Sequence, residues 1–130
     1  MRALWMCLLA GVVGVGMASG LALAQQKAES KTVEGELVDL HCYSAGGAKG
    51  EKHAACAKKC MASGIPAGVL VDGKAWTLAT NPAPLAEHAS KTVRVTGKAN
   101  ADAQVLIPDK IEVKDGDSWT EVKMKDAHRS

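Results

Sequence analysis

The apolar N-terminal segment most restricts what this 130-residue chain can fold into, because it sets how much sequence is left for a globular domain. Arg2 gives a short positive start, residues 3–17 are almost entirely apolar, and Ala22-Leu23-Ala24 ends the segment. This order is typical of a secretory signal peptide with a small-residue cleavage site. We expect cleavage between Ala24 and Gln25 and a periplasmic or secreted protein. An uncleaved membrane anchor is the alternative, because the segment is long enough to cross a bilayer.

Cleavage of signal peptide 1–24 leaves about 106 of the 130 residues, enough for one modest hydrophobic core. The chain contains no phenylalanine, so the core must be built from Val, Leu, Ile, Ala and Met. Loss of Arg2 lowers the formal net charge from +2 to about +1. With few aromatic side chains and no basic stripe, the mature chain lacks the pattern of a nucleic-acid-binding protein. We expect a polar lead-in at 25–31, one domain at 32–114 and a polar tail or edge strand at 115–130.

The first predicted β-strand covers residues 32–42, where Val38, Leu40 and Cys42 alternate on one side. Gly35 stands where a bulge would bend this strand. The glycine-rich residues that follow, 44–50, lack the Gly-Lys-Ser/Thr ending of a phosphate-binding loop. We therefore expect a flexible connector there.

The rest of the domain is predicted to be mostly β-structure. Asp72-Gly73 predicts a two-residue hairpin turn between strands at 68–71 and 74–78, because this pair readily adopts the positive φ angles that such a turn requires. A short helical turn is predicted at 85–89, after a proline-containing break. Strands follow at 91–98, 103–107 and 110–114, with Pro108 limiting one of the last two to an edge or a bulge.

Five short strands with a helical turn between the third and the fourth predict a mainly β fold, a small five-stranded barrel with a short inserted helix. In this strand order, in Val-x-Gly-x-Leu-Val-Asp at 33–39 and in Val-Arg-Val-Thr-Gly at 93–97, the chain resembles small exported bacterial domains of the oligonucleotide/oligosaccharide-binding (OB-like) barrel class. The resemblance implies the barrel but no ligand, because a fold alone does not define function. The inserted helix and the shortage of aromatic side chains depart from that class.

The inserted helix is predicted at residues 51–62 (EKHAACAKKCMA), which are rich in Ala and Lys and end before Gly64 and Pro66. Helical spacing places one imidazole and two thiols on the same face. The residues of that face are His53, Cys56, Ala57, Cys60 and Met61.

The cysteine count is odd in the exported chain, because Cys7 leaves with the signal peptide and Cys42, Cys56 and Cys60 remain. In an oxidising compartment an odd count indicates a disulfide with a spare thiol, a bond to another molecule, or thiolates that hold a metal. The strand end and the helix face are both close to the glycine-rich connector. We therefore expect the three thiols to converge.

Three interpretations of this convergence stay open. The first is a zinc or copper site of Cys42, His53, Cys56 and Cys60, three thiolates and an imidazole, with Met61 and His41 as further candidates. The second is a structural or interaction domain stapled by a disulfide from Cys42 to Cys56 or Cys60, without metal. Cys56 and Cys60 are not expected to pair with each other, because residues four apart on a helix hold their Cβ atoms about 6 Å apart. The third is a thiol redox partner.

The remaining polar residues are given ordinary roles. Asp39 is expected to be an exposed acid, and His88 and His128 to be solvated. No hydrolase motif is present, so no enzymatic activity is predicted. The sequence therefore predicts an exported binding module that takes a soft or borderline metal, with no nucleic-acid partner, no stable membrane insertion after cleavage and no identified protein partner.

Overall fold

The computed structural model describes residues 29–124. The expected signal peptide, its cleavage site, most of the polar lead-in and His128 lie outside the described residues. Within 29–124, no helix is long and apolar enough to cross a membrane. The described part contains six strands, β1 Glu29–Asp39, β2 Ala67–Val71, β3 Lys74–Leu78, β4 Thr92–Asn100, β5 Val105–Asp115 and β6 Ser118–Glu121, and two α-helices, α1 Leu40–Gly46 and α2 Ala54–Ala62.

The strands form one sheet in the order β3-β2-β1-β4-β5-β6. Parallel pairing of β3 with β5, at Thr77 with Val105 and Leu78 with Leu106, closes the first five strands into a barrel. Strand β6 pairs with β5 outside this ring. The predicted mainly β fold, a five-stranded barrel with an inserted helix, is confirmed, and the closed mixed barrel is consistent with an OB-like fold.

The barrel core is mostly aliphatic, as the absence of phenylalanine predicted, but it also contains the buried side chain of Trp76. Strand β4 alternates buried and more exposed residues along its length, so that one face of the strand supplies the interior. Each fully buried Leu, Val or Ile side chain contributes about 1.5–3 kcal/mol. The fully buried core includes Leu37, Val69, Leu78, Leu85, Val93, Val95, Leu106 and Ile111.

The predicted hairpin is confirmed, with Asp72 at φ 49° and Gly73 at φ 77° between β2 and β3. The predicted helical turn is a 3-10 helix, Ala83–His88. The two short strands expected on either side of Pro108 form one strand, β5. Its register with β4 shifts between Thr96 and Gly97, beside the proline.

Gly35 does not form the expected bulge, because β1 stays in continuous register with β4 from Glu29 to Glu36. At Glu36 the strand also begins to pair with β2. A Cβ atom at position 35 would overlap the carbonyl group of Leu70 on β2. The glycine therefore lets two strands approach closely where the barrel curves.

The first strand ends at Asp39, three residues earlier than predicted, and helix α1 follows at once. The Asp39 side chain accepts a hydrogen bond from the backbone N–H of Cys42 and so caps the helix. Gly47, at φ 68°, ends the helix by donating its N–H to the carbonyls of Cys42 and Tyr43. Cys42 therefore lies in the first turn of a helix, not at the end of a strand, and residues 44–46 of the expected flexible connector are helical.

The second helical segment agrees with the prediction. A 3-10 turn, Glu51–His53, leads directly into α2. Together α1, the connector, this turn and α2 make up residues 40–62, which we call the insert. It lies between β1 and β2 in the chain.

Candidate metal centre

The insert brings the predicted ligand residues together. Cys42 comes from α1, His53 from the end of the 3-10 turn, and Cys56 and Cys60 from α2. Two overlapping sets of ligand atoms, each with all its atoms within 4.8 Å of one another, share Cys42. The first set is Cys42, His53 and Cys56, and the second is Asp39, Cys42 and Cys60.

To bind a tetrahedral metal ion, the ligand atoms would need to move only slightly closer to one another. Zinc–sulfur bonds of about 2.3 Å place two thiolate sulfurs of one tetrahedral site about 3.8 Å apart. The four predicted residues, Cys42, His53, Cys56 and Cys60, therefore lie close enough to hold a metal ion.

Two hydrogen bonds hold the insert on the barrel, one at its start and one where the connector ends. The N–H of Leu40 donates to the carbonyl of Pro66 at 2.9 Å, which ties the start of α1 to the segment before β2. Glu36 on β1 accepts a hydrogen bond from the N–H of Gly50, where the connector enters the 3-10 turn. Both helices are thus attached beside the same end of β1.

The two thiols of helix α2 differ in their exposure to solvent. Ala57 and Met61 face the hydrophobic core and are buried. Cys60 is half-buried, and Cys56 lies at the solvent edge of the helix and is exposed. The site is therefore open to solvent on the side of Cys56.

Asp39 lies beneath the cluster and is fully buried, so the expectation of an exposed acid is wrong. Its Oδ1 accepts the N–H of Cys42 at 2.9 Å, and its Oδ2 lies 3.0 Å from Nε2 of His53. Burial by itself raises the pKa of Asp39, but the hydrogen bonds from Cys42 and His53 outweigh it and leave the pKa below its usual value. One carboxylate thus contacts both helical segments of the insert.

The two less exposed thiols hold their protons in the absence of a cation. Burial, the Asp39 charge and the neighbouring thiols raise the pKa of Cys42 to about 12. Burial and the Asp39 charge also raise the pKa of Cys60. A raised pKa disfavours the nucleophilic thiolate in these two residues. The thiol-redox interpretation stays an untested prediction.

The other candidates lie apart from the cluster. His41 is exposed on α1 and belongs to neither set of ligand atoms. Met61 is fully buried in the core. His88 is not solvated as expected, because it is half-buried with an unpaired Nδ1, and burial lowers its pKa. It lines a surface cleft of about 130 Å³ that contains none of the four predicted ligands.

All three cysteines of the described residues are free. Cys56 and Cys60 share one helix, as predicted, and do not pair. A disulfide from Cys42 to Cys56 or to Cys60 is not formed, and the stapled domain stays an untested prediction.

One residue of this site, Asp39, was not predicted from the sequence. Its signal was present, since Asp is among the preferred N-cap residues and it precedes Cys42 by three positions. Because the alternating apolar pattern of β1 continues past Asp39, the sequence predicted a longer strand in place of the helix start.

Comparisons with protein-family models, curated proteins and solved structures found no match to this chain. The chemistry of the cluster is therefore the basis on which a function can be assigned.

Proposed function

We propose that this protein is an exported module that binds one soft or borderline metal ion, zinc or monovalent copper, through Cys42, His53, Cys56 and Cys60. The observation that carries the proposal is the convergence of three thiols and an imidazole from α1, the 3-10 turn and α2 at one place. Thiolate and imidazole ligands are the set that zinc and soft metals prefer.

The composition of the core supports a functional origin for the cluster. The barrel closes around a mostly aliphatic core, and none of the four residues belongs to that core. The insert contributes only Ala57 and Met61 to the buried residues. A metal ion that joins α1 to α2 would therefore supply stability that packing does not give the insert.

The exposure of Cys56 supports a site that exchanges its metal. Structural zinc sites are usually closed by four protein ligands away from solvent. Here one ligand lies at the surface while Cys42 and Cys60 are half-buried. Solvent and competing ligands would reach the ion from the Cys56 side, as in a protein that takes up and releases metal.

Export is part of the proposal and rests on the N-terminal segment. In an oxidising compartment, neighbouring thiols form disulfides readily. A bound metal would keep Cys42, Cys56 and Cys60 as separate thiolates there. The odd number of cysteines fits this role, because a metal does not require the thiols to pair.

Titration of the reduced full chain with Zn²⁺ and with Cu⁺, each against a competing chromophoric chelator, tests metal binding. We expect one ion per chain, and weaker binding in the variants H53A and C56S. The variant H41A is the matched control, because it removes an imidazole of the insert that lies outside the cluster. Absence of stoichiometric binding of both ions, or equal losses in H41A and H53A, would contradict the proposal.

A further inference from the structure

Asp39 is the one buried charged side chain of residues 29–124. It is the last residue of β1 and the N-cap of α1. One of its carboxylate oxygens lies within 4.8 Å of the sulfur atoms of Cys42 and Cys60. A buried charge is costly unless partners stabilise it. Its partners here are the backbone N–H of Cys42 and the ring of His53.

We propose that Asp39 is the positioning and selectivity residue of the metal site: it makes Nδ1 of His53 the ligating nitrogen and favours divalent over monovalent ions. This inference rests on the proposed metal-binding function and deepens it by naming the class of ion that the site prefers.

The choice of nitrogen follows from hydrogen-bond chemistry. An ionised carboxylate only accepts hydrogen bonds, so the His53 nitrogen that lies 3.0 Å from Oδ2 must carry the proton. That nitrogen is Nε2, which leaves Nδ1 with the free lone pair. Metal-bound histidines commonly donate their other N–H to a carboxylate, which fixes the tautomer and the ring orientation.

The position of Asp39 also orders the site before the ion arrives. Oδ1 holds Cys42 through the helix cap, and Oδ2 holds His53 at the end of the 3-10 turn. These two ligands come from different helical segments separated by the connector 47–50. One side chain therefore sets the separation of two ligands that the backbone alone does not fix.

The charge of Asp39 affects ions of different valence to different extents. Coulomb attraction to a fixed negative charge is twice as large for a divalent ion as for a monovalent one at the same distance. Because Asp39 is buried close to Cys42 and Cys60, solvent screens this attraction little. Removal of the charge should therefore weaken Zn²⁺ binding more than Cu⁺ binding.

The decisive measurement needs no variant. In the full chain loaded with ¹¹³Cd²⁺ and labelled with ¹⁵N-histidine, we expect scalar coupling between cadmium and Nδ1 of His53, with a proton on Nε2. Coupling to Nε2, or no coupling to His53 while cadmium is bound, would overturn the inference and leave metal binding intact. A chain that binds no cadmium or zinc would refute the proposed function itself.

The variant D39N tests selectivity. Its amide oxygen can still accept the N–H of Cys42, but its NH₂ group then faces Nε2 of His53 and favours the tautomer with the proton on Nδ1. We expect Zn²⁺ affinity to fall by about 10- to 100-fold and Cu⁺ affinity to fall less, with loss of the cadmium coupling to His53.

The matched control is E112Q, which removes a hydrogen-bonded carboxylate from β5 outside the site and should leave both affinities unchanged. Equal losses of Zn²⁺ and Cu⁺ affinity in D39N would indicate a merely structural residue and overturn the selectivity role.

Discussion

The barrel and the insert are stabilised in different ways. The barrel closes through strand pairing around the whole ring and a mostly aliphatic core that includes Leu37, Val95 and Leu106. The insert is two short helices with two buried side chains, Ala57 and Met61, and its distinctive contacts are polar. Side-chain packing therefore stabilises the barrel, whereas the insert buries little surface and would gain stability from a bound ion.

The largest effect on the barrel is expected from L106A. Leu106 is fully buried and pairs with Leu78 where β3 and β5 close the ring. A buried Leu→Ala substitution costs about 2–5 kcal/mol, measurable as a lower free energy of unfolding in denaturant. The folded fraction should still bind one metal ion per chain. Loss of metal binding in folded L106A would show that the two regions are not independent.

The converse test is C42S, which removes the ligand shared by both sets of atoms. We expect metal affinity to fall by at least the roughly 100-fold that loss of an outer-shell partner can cost. The barrel should stay folded, because Cys42 lies outside the core and its backbone N–H can still donate to Asp39. Affinity within a few-fold of the unchanged protein would remove Cys42 from the site.

Chelation of the bound ion should increase the local opening of the insert and leave the barrel unchanged. Hydrogen exchange of the α1 and α2 amides is expected to accelerate when the metal is removed, because the two helices lose their cross-link. Amides of the paired strands β1 and β4 should exchange as before. Equal acceleration in both regions, or none in the insert, would contradict the proposed division.

The smallest effect concerns Glu112, whose pKa is lowered by hydrogen bonds from Arg94 and Lys110. Because the folded state lowers this pKa, the interaction stabilises the barrel above the usual glutamate pKa of about 4.3 and is lost as the pH falls further. The stability difference between the unchanged protein and E112Q should therefore be small at neutral pH and vanish in acid. A difference that grows in acid would contradict this assignment.

Local patterns were sufficient to predict much of the fold. Asp72-Gly73 determines the hairpin by its positive φ angles, and the Ala- and Lys-rich residues 51–62 favour a helix wherever they pack. Barrel closure was predicted from the order of elements. The parallel pairing of β3 with β5 depends on contacts distant in sequence, so no local pattern specifies its register.

Cys56, Cys60 and His53 were predicted from helical spacing, and Cys42 from its place at the predicted end of the first strand. Helix α1 and the role of Asp39 were not predicted. Residues 40–43 (Leu-His-Cys-Tyr) continue the alternation of β1 in sequence, but the structure ends the strand at Asp39, whose side chain accepts the N–H of Cys42. The buried carboxylate of Asp39 also contacts the ring of His53, which lies fourteen residues away. The alternation of residues along a strand contains no information about either contact.

The most direct test of the central claim is native mass spectrometry of the protein isolated without chelators from the cells that make it, with thiols counted by alkylation. We expect one zinc or copper ion per chain, and three alkylatable cysteines in the mature chain after chelation and denaturation without a reductant. A metal-free protein with Cys42 in a disulfide to Cys56 or Cys60, and one alkylatable thiol, would contradict it.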